Sequence, residues 1–375
     1  MADFTCPFCM RDYPKSKVLY VCPDCHEPTR PKALERVVKC RNVVGGRQCP
    51  GSATQRQCPF CRDNNKNAGF IPKDALETPN LPFSIVGVSG AGKTNYITVM
   101  LRELGHAASL RLALSYQNPQ TRAIQQEAVE TLYEQHYLLP PTALGEKRPQ
   151  IWKISNLNKR QGNTVPTYTF TIFDGAGEDH EQRVDQSSTV CRYINASRAI
   201  MLVIDPLVLS EVRNDSSMDP TVMRNSLAGG QGEARGAADV INGVVNYIKE
   251  SRQIRTDQIL KIPVAVVLTK FDTLVNHPAF GPQALVRQES QSVQSGRVSM
   301  GEIDQVDGEI RNWLWQIGEG SFIGTMESSF HEFRFFGVSS LGAPPPGGGR
   351  APDPIRPHRV LDPLLWLFHK ENFVD

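Results

Sequence analysis

The sequence predicts an α/β fold of the phosphate-loop type, preceded by a small cysteine-rich module. Two observations carry this reading. Residues Gly87–Thr94 read GVSGAGKT, an ungapped match to G-x-x-x-x-G-K-[ST]; a short apolar run, Phe83–Val86, precedes them, and Asn95–Leu104, apolar at helical spacing, follows. Eight of the nine cysteines fall between Cys6 and Cys61, most of them in C-x-x-C pairs. Strand, glycine loop, helix is the order that the first motif requires.

Each part of the loop has a task on a nucleoside triphosphate. Glycines permit backbone conformations closed to other residues, so successive N–H groups can turn inward onto phosphate oxygens. Gly87, Ser89, Gly90, Ala91, Gly92, Lys93 and Thr94 form the candidate phosphate cradle. Lys93 would reach the outer phosphates, and the Thr94 hydroxyl would ligate magnesium. The helix starting there adds the positive end of its dipole.

A chain of 375 residues accommodates one large domain and a small one. Its formal charge of +2 does not by itself argue for nucleic acid. No apolar run approaches the roughly 20 residues that span a bilayer; Ala199–Ile204 is stopped by Asp205-Pro206. The N-terminus lacks a basic-then-apolar signal pattern, so a cytoplasmic location is expected.

The cysteine pairs favour metal over disulfides. Cys6-Pro7-Phe8-Cys9 and Cys22-Pro23-Asp24-Cys25 lie twelve residues apart and are expected to share one tetrahedral zinc. Cys40, Cys49, Cys58 and Cys61 would supply a second site. His26 beside Cys25 is an alternative ligand, and a redox dithiol an alternative use. Over its first 62 residues the chain resembles a double zinc ribbon, which implies two zinc ions. A segment with so few large apolar residues builds little core, and metal ligation would supply the folding free energy. Residues 1–75 carry 13 Lys/Arg against 7 Asp/Glu, a surplus of six. Two four-thiolate zinc sites would lower that surplus to roughly +2. A protein partner is therefore at least as well supported as nucleic acid. Residues 63–80 read as a polar linker broken by Pro72 and Pro79, with Pro82 just beyond.

Further motifs follow in order from residue 81. A helix is expected over Thr121–Leu138, ended by Pro140-Pro141. Ile151–Ile154 and Thr167–Phe173 read as strands joined by the polar segment Asn156–Asn163. The second strand runs into Asp174-Gly175-Ala176-Gly177, a D-x-x-G motif. Asp174 would hold the magnesium shell and the Gly177 N–H would meet the terminal phosphate; loss of that phosphate would release the loop. Asp205, at the end of Ile200–Ile204, is the competing acid. The apolar strand Ile262–Leu268 ends in Thr269-Lys270-Phe271-Asp272, which matches [NT]-K-x-D. The Asp272 carboxylate can accept hydrogen bonds from the N1–H and 2-amino group of guanine; adenine offers neither donor. The Lys270 stem would lie along the base, and Thr269 stands where Asn is commoner. Finally, Ser339, Ser340 and Leu341 after Phe335-Phe336-Gly337-Val338 resemble the S-A-K segment, with Ser and Leu in place of Ala and Lys.

Taken together, these motifs resemble a TRAFAC-class, Ras-like GTPase from about Leu81 onward. The resemblance implies a mostly parallel six-stranded sheet flanked by helices, with one antiparallel edge strand, and Mg2+-dependent hydrolysis of GTP to GDP and phosphate. It favours Asp174 over Asp205 as the magnesium acid, because Asp174 follows the hairpin. It also calls for a magnesium-binding switch threonine, for which Thr142 is the candidate ahead of Thr164 and Thr167. Where Gln usually positions the attacking water, the chain has Glu178, then Asp179 and His180; Glu178 or His180 would orient the water, or neither would and hydrolysis alone would be slow. Arg183 and Arg192 are candidate arginine fingers. The cysteine head fused to such a domain, and the run Arg359–Trp366, also resemble the bacterial double-GTPase group of conflict systems. Residues 207–236 and 276–300 read as loose insertions, 342–357 as a Pro/Gly-rich loop, and Arg359–Phe373 as an amphipathic closing helix. The alternatives are a GTP-binding adaptor that hydrolyses poorly, its head recruiting a protein or nucleic acid, and a P-loop ATPase.

Overall fold

The computed structural model describes residues 3–32, 35, 37–64, 69–87, 90–140, 149–156, 167–174, 189–214, 220, 237–274 and 277–374. Short strands build the head: β1 (Asp3–Thr5), β2 (Asp12–Pro14), β3 (Leu19–Val21), β4 (Pro28–Thr29), β5 (Val43–Val44), β6 (Arg47–Gln48) and β7 (Gln55–Gln57). β1–β2 and β5–β6 are hairpins, and β3 lies between β4 and β7. The head's cores are small. One gathers Phe4, Tyr13, Val18, Ile71 and Ala75 around Cys6, Cys9 and Cys58. Ile71 and Ala75 belong to the stretch that reads as a polar linker, so its second half packs into the head. The Lys153 ammonium pairs with Asp74 at 2.7 Å and ties the same stretch to the large sheet.

That sheet contains β8 (Asn80–Gly87), β9 (Leu112–Tyr116), β10 (Gln150–Asn156), β11 (Thr167–Asp174), β12 (Ala199–Ile204), β13 (Val264–Leu268) and β14 (Phe333–Gly337). Their order is β14-β13-β12-β8-β11-β10-β9. The expected count of six strands is corrected to seven. The reversed strand, β10, is second from the edge, because β9 pairs along its outer side (Trp152 with Tyr116, Ile154 with Leu114). Five residues of alternating Leu112, Leu114 and Tyr116 are too short a signal to stand out after a helix.

Both faces of the sheet are covered, which is why its central strands read as unbroken apolar runs. Leu81, Phe83 and Ile85 of β8, with Met201 and Val203 of β12, pack on one side under the helix Lys93–His106 and the tail. Val86, Ile200, Leu202 and Ile204 pack on the other against Ala237–Ser251 and Met300–Gln316. Pro82 sits near the start of β8, where its missing N–H costs least; its carbonyl accepts from Arg198 N at 3.0 Å. The expected helix Thr121–Leu138 is an α-helix over Pro119–Val129, capped by the Asn118 side chain on Thr121 N at 2.6 Å, followed by a π-turn over Glu130–Glu134.

The tail helix, Asp362–Lys370, is buried on nearly every side rather than amphipathic, with Leu364 through Phe368 all in the core. Trp366 is 0 % exposed and meets Phe336 with ring centroids 5.8 Å apart. Trp366→Ala should cost about 3–5 kcal/mol in urea unfolding. A loss below about 1 kcal/mol would place the tail outside the core. The Gln/Ser-rich stretch before Met300 is pinned as well. The Arg359 guanidinium ion-pairs with Glu302 at 2.9 Å and Asp362 at 2.8 Å, and donates to the carbonyls of Leu285 and Gln288 at 3.1 and 2.9 Å.

Candidate nucleotide site and candidate metal centres

The parallel strands β8, β11, β13 and β14 end on one side of the sheet, where ligands of open α/β sheets bind. Gly87, Asp174, Leu268 and Gly337 are their last residues. At Gly87 a side chain is excluded: a Cβ there would stand 2.0 Å from the Val203 carbonyl oxygen. Gly90 and Gly92 both take φ of 75°, in the left-handed region, and Gly92 leads into the helix Lys93–His106. Lys93 is buried, and its ammonium donates to the Gly87 carbonyl at 3.0 Å, closing the loop on itself. Thr94 occupies the first turn of that helix, half-buried. Asp174 is level with Ile85 in the β11–β8 register, so its backbone lies beside the approach to the loop.

The guanine-type motif joins the same end. Thr269 is buried, and its hydroxyl donates to the Ala91 carbonyl at 2.8 Å and the Ile204 carbonyl at 3.2 Å. A threonine in the commoner asparagine's place thus ties this motif to the Gly87–Thr94 loop. Lys270 adopts φ 53° and reaches the Asp205 carboxylate at 2.6 Å. Asp205 also accepts from Leu207 N at 2.9 Å. It therefore acts as the counter-ion of Lys270, a role the sequence reading missed when it weighed Asp205 only as a magnesium acid. The signal was its position: a lone acid closing an apolar strand. Asp272 is half-buried and accepts the Ser339 hydroxyl at 2.5 Å. Burial pushes its carboxyl above the ordinary range, and Ser339 opposes the shift. Ser339 is itself fixed by mutual backbone bonds with His358 and by Gly342 N on its hydroxyl at 2.8 Å. Ser340 is buried beside it, and Leu341 half-buried.

Ser89, Thr142, Gly177, Glu178 and His180 lie outside the described residues, as do Thr164 and Arg183, and of Asp174 only the backbone is described. Thr167 starts β11 and so sits at the opposite end of that strand from the loop. Arg192 donates its Nε to the Cys9 carbonyl at 3.0 Å, which engages it with the head.

The eight head cysteines form two groups of four, each with its sulfurs within 4.8 Å of one another: Cys6, Cys9, Cys58 and Cys61; and Cys22, Cys25, Cys40 and Cys49. This corrects the sequential pairing. The chain returns through β7, which pairs with β3 (Leu19 opposite Gln57), so Cys58 and Cys61 arrive beside Cys6 and Cys9 and the other four are enclosed between. Sγ–Sγ distances of 3.9, 3.8, 3.8 and 3.6 Å exclude disulfides, whose sulfurs are about 2.05 Å apart. They match the edge of a tetrahedron with zinc–sulfur bonds of about 2.3 Å, which is about 3.8 Å. Donors already face the sulfurs: Phe8 N on Cys6 and Asn42 Nδ2 on Cys25, both at 3.4 Å. The Asn42 bond draws Cys25 down to about 7, while desolvation holds Cys40 up at about 12. His26 belongs to neither group.

No family model matches the chain. It is 24 % identical over 332 residues to SaeC of Mycolicibacterium smegmatis, named as a proposed ESX-1 scaffolding and assembly protein, and the match covers 83 % of this chain and 78 % of that one. Among solved structures it resembles the S. cerevisiae Ski7 GTPase-like domain bound to GDP and inorganic phosphate, at 13 % identity and TM-score 0.31, over 80 % of this chain and 52 % of that one. It also resembles the signal recognition particle receptor SRb-GDP from Chaetomium thermophilum, at 16 % identity and TM-score 0.22, over 72 % of this chain and 94 % of that one. The chain thus spans about half the length of the Ski7 chain. No helix among the described residues is long and apolar enough to cross a membrane.

Proposed function

We propose that the chain is a guanine-nucleotide-binding switch that hydrolyses GTP and carries two structural zinc ions in its head. The observation behind this reading is the convergence, at one end of the sheet, of the Gly87–Thr94 loop with Asp272, a carboxylate oriented by the Ser339 hydroxyl. In this reading the loop N–H groups and Lys93 hold the phosphates. Asp272 accepts the two donors of guanine, and Lys270, set by Asp205, lies along the base. Thr94 and Asp174 would hold magnesium, which neutralises charge on the outer phosphates. Water adds to the terminal phosphorus as the bond to the bridging oxygen breaks, giving GDP and inorganic phosphate. Thr142, and Glu178 or His180, are proposed for the switch and the water from sequence order alone. Cytoplasmic location, protein capture by the head or switch loops, and a place among conflict-system GTPases belong to the same proposal; nucleic acid is the weaker-supported partner.

A second reading is a nucleotide-dependent scaffold that hydrolyses GTP poorly. The role in SaeC's name, together with Glu178 where Gln is usual, favours it. Single-turnover hydrolysis separates the two. The switch predicts magnesium-dependent turnover in the wild type and its loss in Lys93→Ala. Tight GTP binding without turnover would leave only the scaffold.

A further inference from the structure

The cysteine head is joined to the nucleotide domain by more than the covalent chain. The turn between Cys6 and Cys9 rests on the helix Thr189–Ala196, which follows the D-x-x-G segment in the chain. Met10, in the left-handed conformation with φ 54°, packs on Tyr193 with Val190 and Ala196. The Tyr193 hydroxyl donates to the Pro7 carbonyl, and Arg192 Nε donates to the Cys9 carbonyl at 3.0 Å. Both accepting carbonyls belong to the loop that carries two ligands of the outer cysteine group.

From Tyr193 a chain of buried polar contacts leads to β8, the strand that runs into the Gly87–Thr94 loop. The Tyr193 carbonyl accepts the Ser197 hydroxyl at 2.7 Å, and the Ser197 and Ser84 hydroxyls lie 2.6 Å apart. Ser84 stands on β8, three residues before Gly87, whose carbonyl accepts Lys93. Tyr193, Ser197 and Ser84 are 0 %, 2 % and 1 % exposed. A hydroxyl inside the apolar run of β8 has no packing advantage over Ala or Val; it is tolerated there because its partner satisfies it. Moving the knuckle by a few tenths of an ångström would strain each bond in turn, since buried polar groups are costly to leave unmade.

We propose that the outer four-cysteine site has a second function: zinc bound there and nucleotide bound at Gly87–Thr94 strengthen each other's binding through Tyr193, Ser197 and Ser84. The inference rests on the reading that Gly87–Thr94 holds a guanine nucleotide. Zinc gathers Cys6 and Cys9 with Cys58 and Cys61, fixes the carbonyls of Pro7 and Cys9, and so orders the helix that braces β8. Nucleotide would bear on the loop that follows the same strand. Coupling of this kind is reciprocal: each ligand changes the other's affinity by one common factor.

The test uses the full chain, zinc, a colorimetric chelator and GDP. Competition with the chelator should show one of the two zinc ions held about fivefold tighter or more with GDP present, and GDP held tighter by the same factor when that ion is bound. Tyr193→Phe keeps the ring in place and Ser84→Ala removes one hydroxyl; either should bind zinc and GDP but lose the coupling. The proposal is overturned if GDP binds the wild type and neither zinc affinity moves, or if either variant keeps the full factor. Failure of GDP to bind at all would overturn the nucleotide reading itself, and the coupling with it.

Discussion

Replacing Cys6 and Cys58 together by serine should leave about one tightly held zinc per chain, because both losses fall on one site of four sulfurs. Replacing Cys6 and Cys22 together should leave none held tightly, because each site then keeps three thiolates. Sequential pairing predicts the two results exchanged, so metal content of the two variants decides between the arrangements. The effect on folding is expected to be large. The head's cores are a few residues each, and structural zinc in comparable small modules is worth about 10–16 kcal/mol of apparent binding free energy near neutral pH. A strong chelator should therefore abolish the head's protection in hydrogen exchange while β12 and β13 keep theirs. Retention of protection in the head after complete zinc removal would sink the account of how it folds.

Asp272→Asn should exchange the base that the chain prefers. In the proposed complex the carboxylate would accept from the N1–H and the 2-amino group of guanine. The amide in its place would turn an N–H towards the 2-amino donor. Xanthine carries a carbonyl at that position and would accept the bond. Two charge-assisted hydrogen bonds of about 1.5–3 kcal/mol each set the expected loss of GTP affinity at about 10²- to 10⁴-fold, with xanthosine triphosphate becoming the better ligand. Recovery by the altered base separates a broken contact from a broken fold. The pH dependence follows from the raised carboxyl of Asp272. Guanine needs the ionised form, so GTP affinity should fall as pH drops through that raised value, and the fall should vanish in Asp272→Asn. Equal losses of both triphosphates in the variant, with no gain for xanthine, would count against Asp272 as the base reader.

Much of the geometry at this end of the sheet was legible because left-handed turns and strands buried on both faces demand particular residue types. The glycines at 90 and 92 are required by a positive φ, and the apolar runs of β12 and β13 by burial on both faces. What escaped depends on distant pairing. β9 is added by a short edge contact that no local pattern announces. The nesting of the cysteines follows from β3 meeting β7, a long-range pairing invisible in C-x-x-C spacing. The stretch 277–299 has the composition of a loose insertion but is held by a buried Arg359 reaching back from the tail. Asp205 read only as the competitor of Asp174 for magnesium; its ion pair with Lys270 joins the ends of two different strands, which no local pattern announces.

The expectations for Asp272 and Lys93 depend on a guanine nucleotide at this site. Calorimetric titration of the magnesium-supplemented, zinc-loaded wild-type chain with GDP and with ADP decides the point. One GDP should bind per chain, at least about a hundredfold tighter than ADP, with Lys93→Ala removing most of the affinity. Equal affinity for GDP and ADP, unchanged in Asp272→Ala, would contradict guanine recognition and return the chain to the wider class of phosphate-loop ATPases.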